Sequence, residues 1–271
     1  MNAVLKLLLA LALLLASQAR AADAPDKLYT AVAIVTGTAE ENRPLGFRLA
    51  LEDVIVRVSG DYSLITSGAA DEVLASAGDY AASFTYRDRL EGIPIHDEQG
   101  TYDRPHDLTV NFDPAKIDAA LRTLGSRPWL ANRPHLAVVL GVKSAKLDFV
   151  LSSDAEQGFY MRDSLAAAAD KYALPVALPS GDAIAEIGIG SDVLAKFDSA
   201  ALDARAGLLG GDRVLAGTLI WSDRAMGWLV SWRLYADGKD YSWEESGISF
   251  DDAFRAGVRG AAQVLSGNAR T

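Results

Sequence analysis

The sequence predicts an α+β protein made of two α/β-type units, an α+β amino-terminal unit over residues 22–125 and a mixed-sheet α/β unit over residues 135–271. Three observations predict it. Segments that alternate apolar and polar residues at period two are interleaved with segments of helical period. An aperiodic stretch, Ser126 to Pro134, separates them with two prolines, two arginines and Trp129. Beyond it the order strand, helix, strand, helix, strand, strand, strand, helix calls for a mixed sheet.

In the amino-terminal unit, residues 28–35 read as a strand ending at Thr36-Gly37. Over residues 44–58, Phe47, Leu51, Val54, Ile55 and Val58 recur at helical spacing, with Pro44 at the start and Gly60 past the end. An Ala-rich helix is expected around residues 69–77. Residues 80–90 and 107–112 alternate as strands, joined by a turn-rich segment holding Gly92, Pro94, Gly100 and Pro105. Asp113-Pro114 opens a short helix with Ile117, Ala120, Leu121 and Leu124 on its apolar face, stopped by Gly125.

In the second unit, residues 135–142 form a continuous apolar run, as in a strand buried on both faces. Ser153-x-x-Glu156 predicts a capping box for a helix reaching Tyr172. Residues 174–178 read as a short strand between prolines, and residues 191–206 as a helix packing through Leu194, Phe197, Ala201 and Leu208. Strands are expected over 213–221, 227–235 and 240–248. Ser249-x-x-Asp252 caps a last helix whose face is Phe250, Phe254, Val258, Ala262 and Leu265, closed by Gly267.

The first 21 residues have the plan of a secretory signal peptide. Lys6 supplies the charge, residues 7–16 are Leu and Ala only, and Ala19-Arg20-Ala21 is an A-x-A cleavage site before Ala22. A membrane helix needs roughly 20 apolar residues, so this run is too short to anchor. Losing Lys6 and Arg20 takes 26 basic residues to 24 against 36 acidic ones, a net charge of −12. An acidic surface repels nucleic acid and anionic lipid, so neither is expected as a partner, nor is membrane insertion after cleavage. With no cysteine, disulfides, thiol nucleophiles, Cys-ligated zinc and a lipoprotein anchor are all excluded. A periplasmic, soluble protein is the expectation.

Several pieces share one further pattern. They are "LGFRLALEDVIVRVSG" at 45–60, Tyr86 in its strand, "WLANRP" at 129–134, "DRVLAGT" at 212–218 and "GWLVSWRLY" at 227–235. Together they resemble the bacterial domain of unknown function DUF2066, found in exported proteins of proteobacteria. The resemblance implies an envelope location and brings no cofactor or catalytic residue.

Catalytic constellations are hard to assemble. A nucleophilic triad needs a hydroxyl beside a histidine oriented by a carboxylate, and the histidines are only His96, His106 and His135. Gly188-Ile189-Gly190-Ser191-Asp192 lacks the spacing of a nucleophile elbow, and Ser191 reads as a helix cap. Gly207, Gly210 and Gly211 follow a helix, the wrong order for a phosphate cradle. For metal, His96-Asp97 and His106-Asp107 share one hairpin connection where two imidazoles and carboxylates suit zinc or manganese. The preferred alternative is a solvated hairpin tip.

The aromatic residues of the last strands offer a binding reading. Trp228, Val230, Trp232 and Leu234 share one strand face, while Ser231, Arg233 and Tyr235 share the other. The tryptophan face either stacks on glycan or is covered by the last helix, and core is preferred because large apolar patches are rare on monomers. Arg233 and Tyr235 then point outward, while Trp129 and Arg133 sit at the unit junction as further binding candidates. The expectation is an exported, non-enzymatic binding or assembly factor for an envelope protein complex, without a cofactor. The alternative is an envelope hydrolase or glycan-binding module using the His96–Asp107 hairpin or the tryptophan strands.

Overall fold

A computed structural model of the chain describes residues 27–93, 103–194 and 196–268. The expected signal peptide, with its cleavage point at Ala21-Ala22, lies outside these residues. The chain divides into two compact units. One holds residues up to Val58 together with Gly68–Pro128, and the other holds Ser59–Ser67 together with the chain from Trp129 onward. Each has its own sheet, and the fold is α+β. Among the described residues no helix is long and apolar enough to cross a membrane.

In the first unit, β1 (Thr30–Thr36), β2 (Ala81–Asp88) and β3 (Pro105–Phe112) form an antiparallel sheet in the order β1-β3-β2. Alternation buries Ala31, Ala33 and Val35 of β1 and leaves Val32 and Ile34 outward. The helix Arg43–Ser59 covers the buried face with Phe47, Leu51, Val54, Ile55 and Val58, the residues whose spacing predicts it. It lies so close that a Cβ on Gly46 would stand 2.6 Å from both Leu108 and Val35 side-chain carbons. Arg57 donates to the carbonyls of Lys27 and Thr30.

Asp113 caps the helix Pro114–Thr123 by accepting from the amides of Ala115 and Lys116. The single helix expected near residues 69–77 is two short ones, Asp71–Ala75 and Ala77–Tyr80. Between them the Ser76 hydroxyl donates back to the Glu72 and Val73 carbonyls, competing with helix propagation.

In the second unit, β4 (Leu136–Lys143) is the buried centre of a mixed sheet. With β5 (Asp148–Val150), β6 (Val176–Ala177), β7 (Arg213–Ser222), β8 (Gly227–Ala236) and β9 (Lys239–Ile248), the order is β5-β4-β7-β8-β9. β4 runs parallel to β7 and to β6, and the remaining pairs are antiparallel. The two-residue β6 stands where a five-residue strand is expected. The helices Phe159–Tyr172 and Phe250–Leu265 pack together, and the latter lies on β8 and β9.

The tryptophan face is core at Val230, Trp232 and Leu234, while Trp228 at its end is half-buried. Trp232 is fully buried, sandwiched between two glycines. A Cβ on Gly217 would come within 2.5 Å of its ring, and one on Gly257 within 2.6 Å. Its indole N–H donates to the Ala253 carbonyl at 3.0 Å. Trp243, paired directly with Trp232, repeats the arrangement one helical turn on. Its N–H donates to the Ala256 carbonyl at 3.1 Å, and a Cβ on Gly260 would stand 2.3 Å from its ring. Small residues on the last helix are thus the seats of two indoles.

Two helix expectations are corrected in this unit. The helix ending at Tyr172 starts at Phe159, not near Ser153. Gly158, at φ +78° and too close to Leu151 for any Cβ, makes the turn into it. Ser153 instead donates its amide to the Pro179 carbonyl. The helix expected over 191–206 is broken into Ser191–Leu194, Ser199–Asp203 and the 3-10 turn Ala206–Leu209. Asp198 caps the second piece, accepting from the amides of Ala200 and Ala201. The restart changes the helical phase. Leu202, Ala206 and Leu209 are buried, while Ala201 and Leu208 face outward. Ser191 is the first residue of its short helix, and its hydroxyl donates to Asp148.

At the start of the last helix, Ser249 accepts from the Asp252 amide and donates its hydroxyl to the Asp252 carboxylate. The bond from Arg255, then that from Ser249, holds the Asp252 carboxyl below its usual range. A lowered folded-state pKa gives stability that is present above the unfolded value, about 3.9, and lost as pH falls through the folded one. Because the carboxyl is half exposed and screened by solvent, Asp252→Asn is expected to cost no more than about 0.5 kcal/mol in denaturant melts at pH 7. That cost should shrink as the pH is lowered below 4. An equal cost at every pH would show that the charge plays no part.

Candidate functional site

The second sheet has two faces that its register keeps distinct. Trp232, Leu234, Leu215 and Leu219 lie on the helix-covered side. The other side carries Ala216, Thr218 and Ile220 from β7, Leu229, Ser231, Arg233 and Tyr235 from β8, and Asp240, Ser242, Glu244 and Ser246 from β9. The broken helical segment after β6 covers only part of that face. It packs Leu194, Leu202, Ala206 and Leu209 against Ala137, Val139, Val214 and Ala216.

Past the end of this cover the face opens into two adjoining concavities of about 410 and 320 Å³, which share Thr218, Ser231 and Glu244. The hydroxyls of Thr218 and Ser231, on directly paired residues, bond each other at 2.8 Å. Glu244 stands opposite Ser231, is exposed, and has no ion pair among the described residues. Ile220 and Leu229, paired across the same ladder, leave apolar surface at the far end. The groove is thus a floor of hydroxyls and aliphatic side chains with a free carboxylate on its β9 side. Such a surface offers acceptors, orientable hydroxyls and one negative charge.

Of the residues singled out from sequence, Arg233 is at this groove but is half-buried. Its guanidinium donates to the Phe197 carbonyl at 2.9 Å, fastening the sheet to the segment that covers it. Tyr235 lies on the same face, opposite Asp240 and outside the groove lining. Trp129 and Arg133 form a separate cluster. The Trp129 ring is buried with the Arg133 guanidinium 4.3 Å from its centroid. Arg133 also donates to the carbonyls of Trp129, Tyr172 and Ala173, closing the end of the helix Phe159–Tyr172. These bonds occupy the guanidinium with main-chain acceptors, as a C-terminal helix clasp does.

The histidine hairpin is described only in part, since His96 and Asp97 lie outside the described residues. His106 and Asp107 are adjacent on β3, and period two sends their side chains to opposite faces of the sheet. Asp107 forms ion pairs with Arg87 and Arg89, and the His106 Nδ1 is bonded to the Arg104 carbonyl. The two therefore do not converge on one point.

Thr218 and Glu244 are the groove residues that sequence reasoning missed. Ser231 and Arg233 are legible as outward by alternation alone, but only the pairing of three strands adds Thr218 and Glu244. Alternating hydroxyls on β9, at Ser242 and Ser246 around Glu244, are the signal present in the sequence.

Nothing among the curated proteins or the solved structures matches this chain. The resemblance to DUF2066 is overturned by a different match, because the shared phrases, though moderately suggestive as a set, are short and each is weak alone. Residues 22–130 match the model of another domain of unknown function, DUF8605, and the strands that build the groove lie beyond the matched residues.

Proposed function

We propose that this chain is an exported, non-enzymatic binding or assembly protein of the cell envelope, and that its partner engages the open face of the second sheet. The tripartite amino terminus supports export, and the acidic, cysteine-free composition suits an oxidising compartment. The observation that carries the binding role is the groove at Thr218, Ser231 and Glu244. The hydroxyls of Thr218 and Ser231 are bonded to one another and the Glu244 carboxylate has no ion pair among the described residues, an arrangement that recognises a ligand without activating a nucleophile.

Photo-crosslinking in cells tests it. A photoreactive residue at 231 or 244 is expected to give a discrete adduct with an envelope protein, while one at the exposed position 122 gives none. Absence of any adduct from the groove, or recovery of the chain in the cytoplasm with its leader intact, would overturn the proposal.

A glycan-binding reading has one observation in its favour. The Trp221 ring is 41% exposed and meets Trp228 edge-on at 5.5 Å. Quenching of tryptophan fluorescence by peptidoglycan fragments, abolished in Trp221→Ala, is what that reading expects.

A further inference from the structure

The open edge of β9 borders the groove, and its chemistry defines what it accepts. β9 ends the sheet, and among the described residues no strand pairs with its outer side. It has ten residues, whereas the opposite edge strand, β5, has three. Unpaired main-chain donors and acceptors along such an edge are a template for another strand. At its far end Gly247, at φ +72°, and the register shift at Trp228/Leu229 bend the chain, leaving residues 239–246 as the straight part.

Charge decides among the possible occupants. On the groove side β9 carries Asp240, Ser242, Glu244 and Ser246. Neither Asp240 nor Glu244 has an ion pair among the described residues, in contrast to Glu245 on the other side, which binds Arg259 at 2.7 Å. A second copy would set these carboxylates against their own kind, within a chain of net charge −10. An acidic edge disfavours pairing with itself and favours a segment of opposite charge.

We infer that the outer edge of β9 takes up an extended segment of a cationic partner protein as an added strand, with Lys or Arg four positions apart facing Asp240 and Glu244. This rests on the reading of the groove as a binding surface and names the mode and chemistry of its partner. The main-chain bonds supply affinity, the two carboxylates select for positive charge at positions four residues apart, and the groove receives the aliphatic stems of those side chains.

The test uses the mature chain and a fluorescent ten-residue peptide alternating Lys and Thr. Binding followed by anisotropy is expected, with slowed hydrogen exchange at the amides of residues 239–246. Glu244→Lys, at an exposed position with no ion pair among the described residues, should weaken binding about tenfold. A peptide N-methylated at alternate residues should lose binding altogether, because it keeps the charge and loses the strand-forming N–H groups. Equal binding by the N-methylated peptide, protection confined to other strands, or no binding at all would overturn the inference. Groove adducts in cells without protection of β9 would sink the added strand and leave the proposed function standing.

Discussion

Replacing Trp232 by alanine is expected to lower the stability of the second unit by about 3–5 kcal/mol, the cost of deleting a fully buried indole from a core that cannot collapse. The ring is completely inaccessible and sits between Gly217 and Gly257, so no side chain on either wall can swing in to fill the space. Its N–H bond to Ala253 is lost as well. Denaturant titration reads the effect as a lower midpoint at unchanged slope. Trp221→Ala, at a residue 41% exposed on the same hairpin, is the control and should cost below about 1 kcal/mol. Equal losses at the two positions would refute the sandwich as the centre of the core.

The second large effect comes from the opposite change. Gly257→Val is expected to destabilise by about 3 kcal/mol, at the upper end of overpacking costs. Valine has a better helix propensity than glycine, by a few tenths of a kcal/mol, so propensity alone predicts a small gain. Contact decides otherwise. The first added carbon would lie 2.6 Å from the Trp232 ring, which is wedged against Gly217 and has nowhere to move. The double variant Gly257→Val/Trp232→Leu, which removes the ring that clashes, should be more stable than the sum of the single losses predicts. A coupling of about 1–3 kcal/mol is the signature of direct contact. Strict additivity would mean that helix and indole do not share the space as described.

The elements that were legible share a physical feature: their signal is contained within a dozen residues. The helix Arg43–Ser59 declares itself by an apolar stripe, and Asp113 and Ser249 by short side chains that reach the amides two or three residues on. The three long strands at the carboxyl end alternate so regularly that their faces can be assigned before their neighbours are known. Where the reading failed, a contact from afar or a local competitor intervened. Ser153 and Glu156 form a capping pattern, but the helix begins at Phe159, after Gly158, whose left-handed turn brings it hard against Leu151. The stretch from Ser191 has an apolar period throughout, yet Asp198 satisfies amides better as a new cap than as part of a continuing helix.

The groove shows the same division. Alternation puts Ser231 and Arg233 on the face away from the tryptophans, and that much is local. Arg233 looks free in sequence, and only the fold reveals the Phe197 carbonyl that holds it. The hairpin histidines illustrate the reverse case. Adjacent His106 and Asp107 resemble half of a metal site until the strand sends them to opposite faces.

Composition and charge, the acidic cysteine-free character, the α+β class, the strand faces and the starts of the helices at Arg43, Pro114 and Phe250 can be read along the chain, because these depend on sequence neighbours. The tertiary structure alone decided which residues meet. It brought Thr218, Ser231 and Glu244 from three strands into one groove, seated two indoles on Gly257 and Gly260, and left the edge of β9 with no paired strand among the described residues. Register and close approach are set by shape and by hydrogen bonds between distant segments, and no local pattern encodes a distance of that kind.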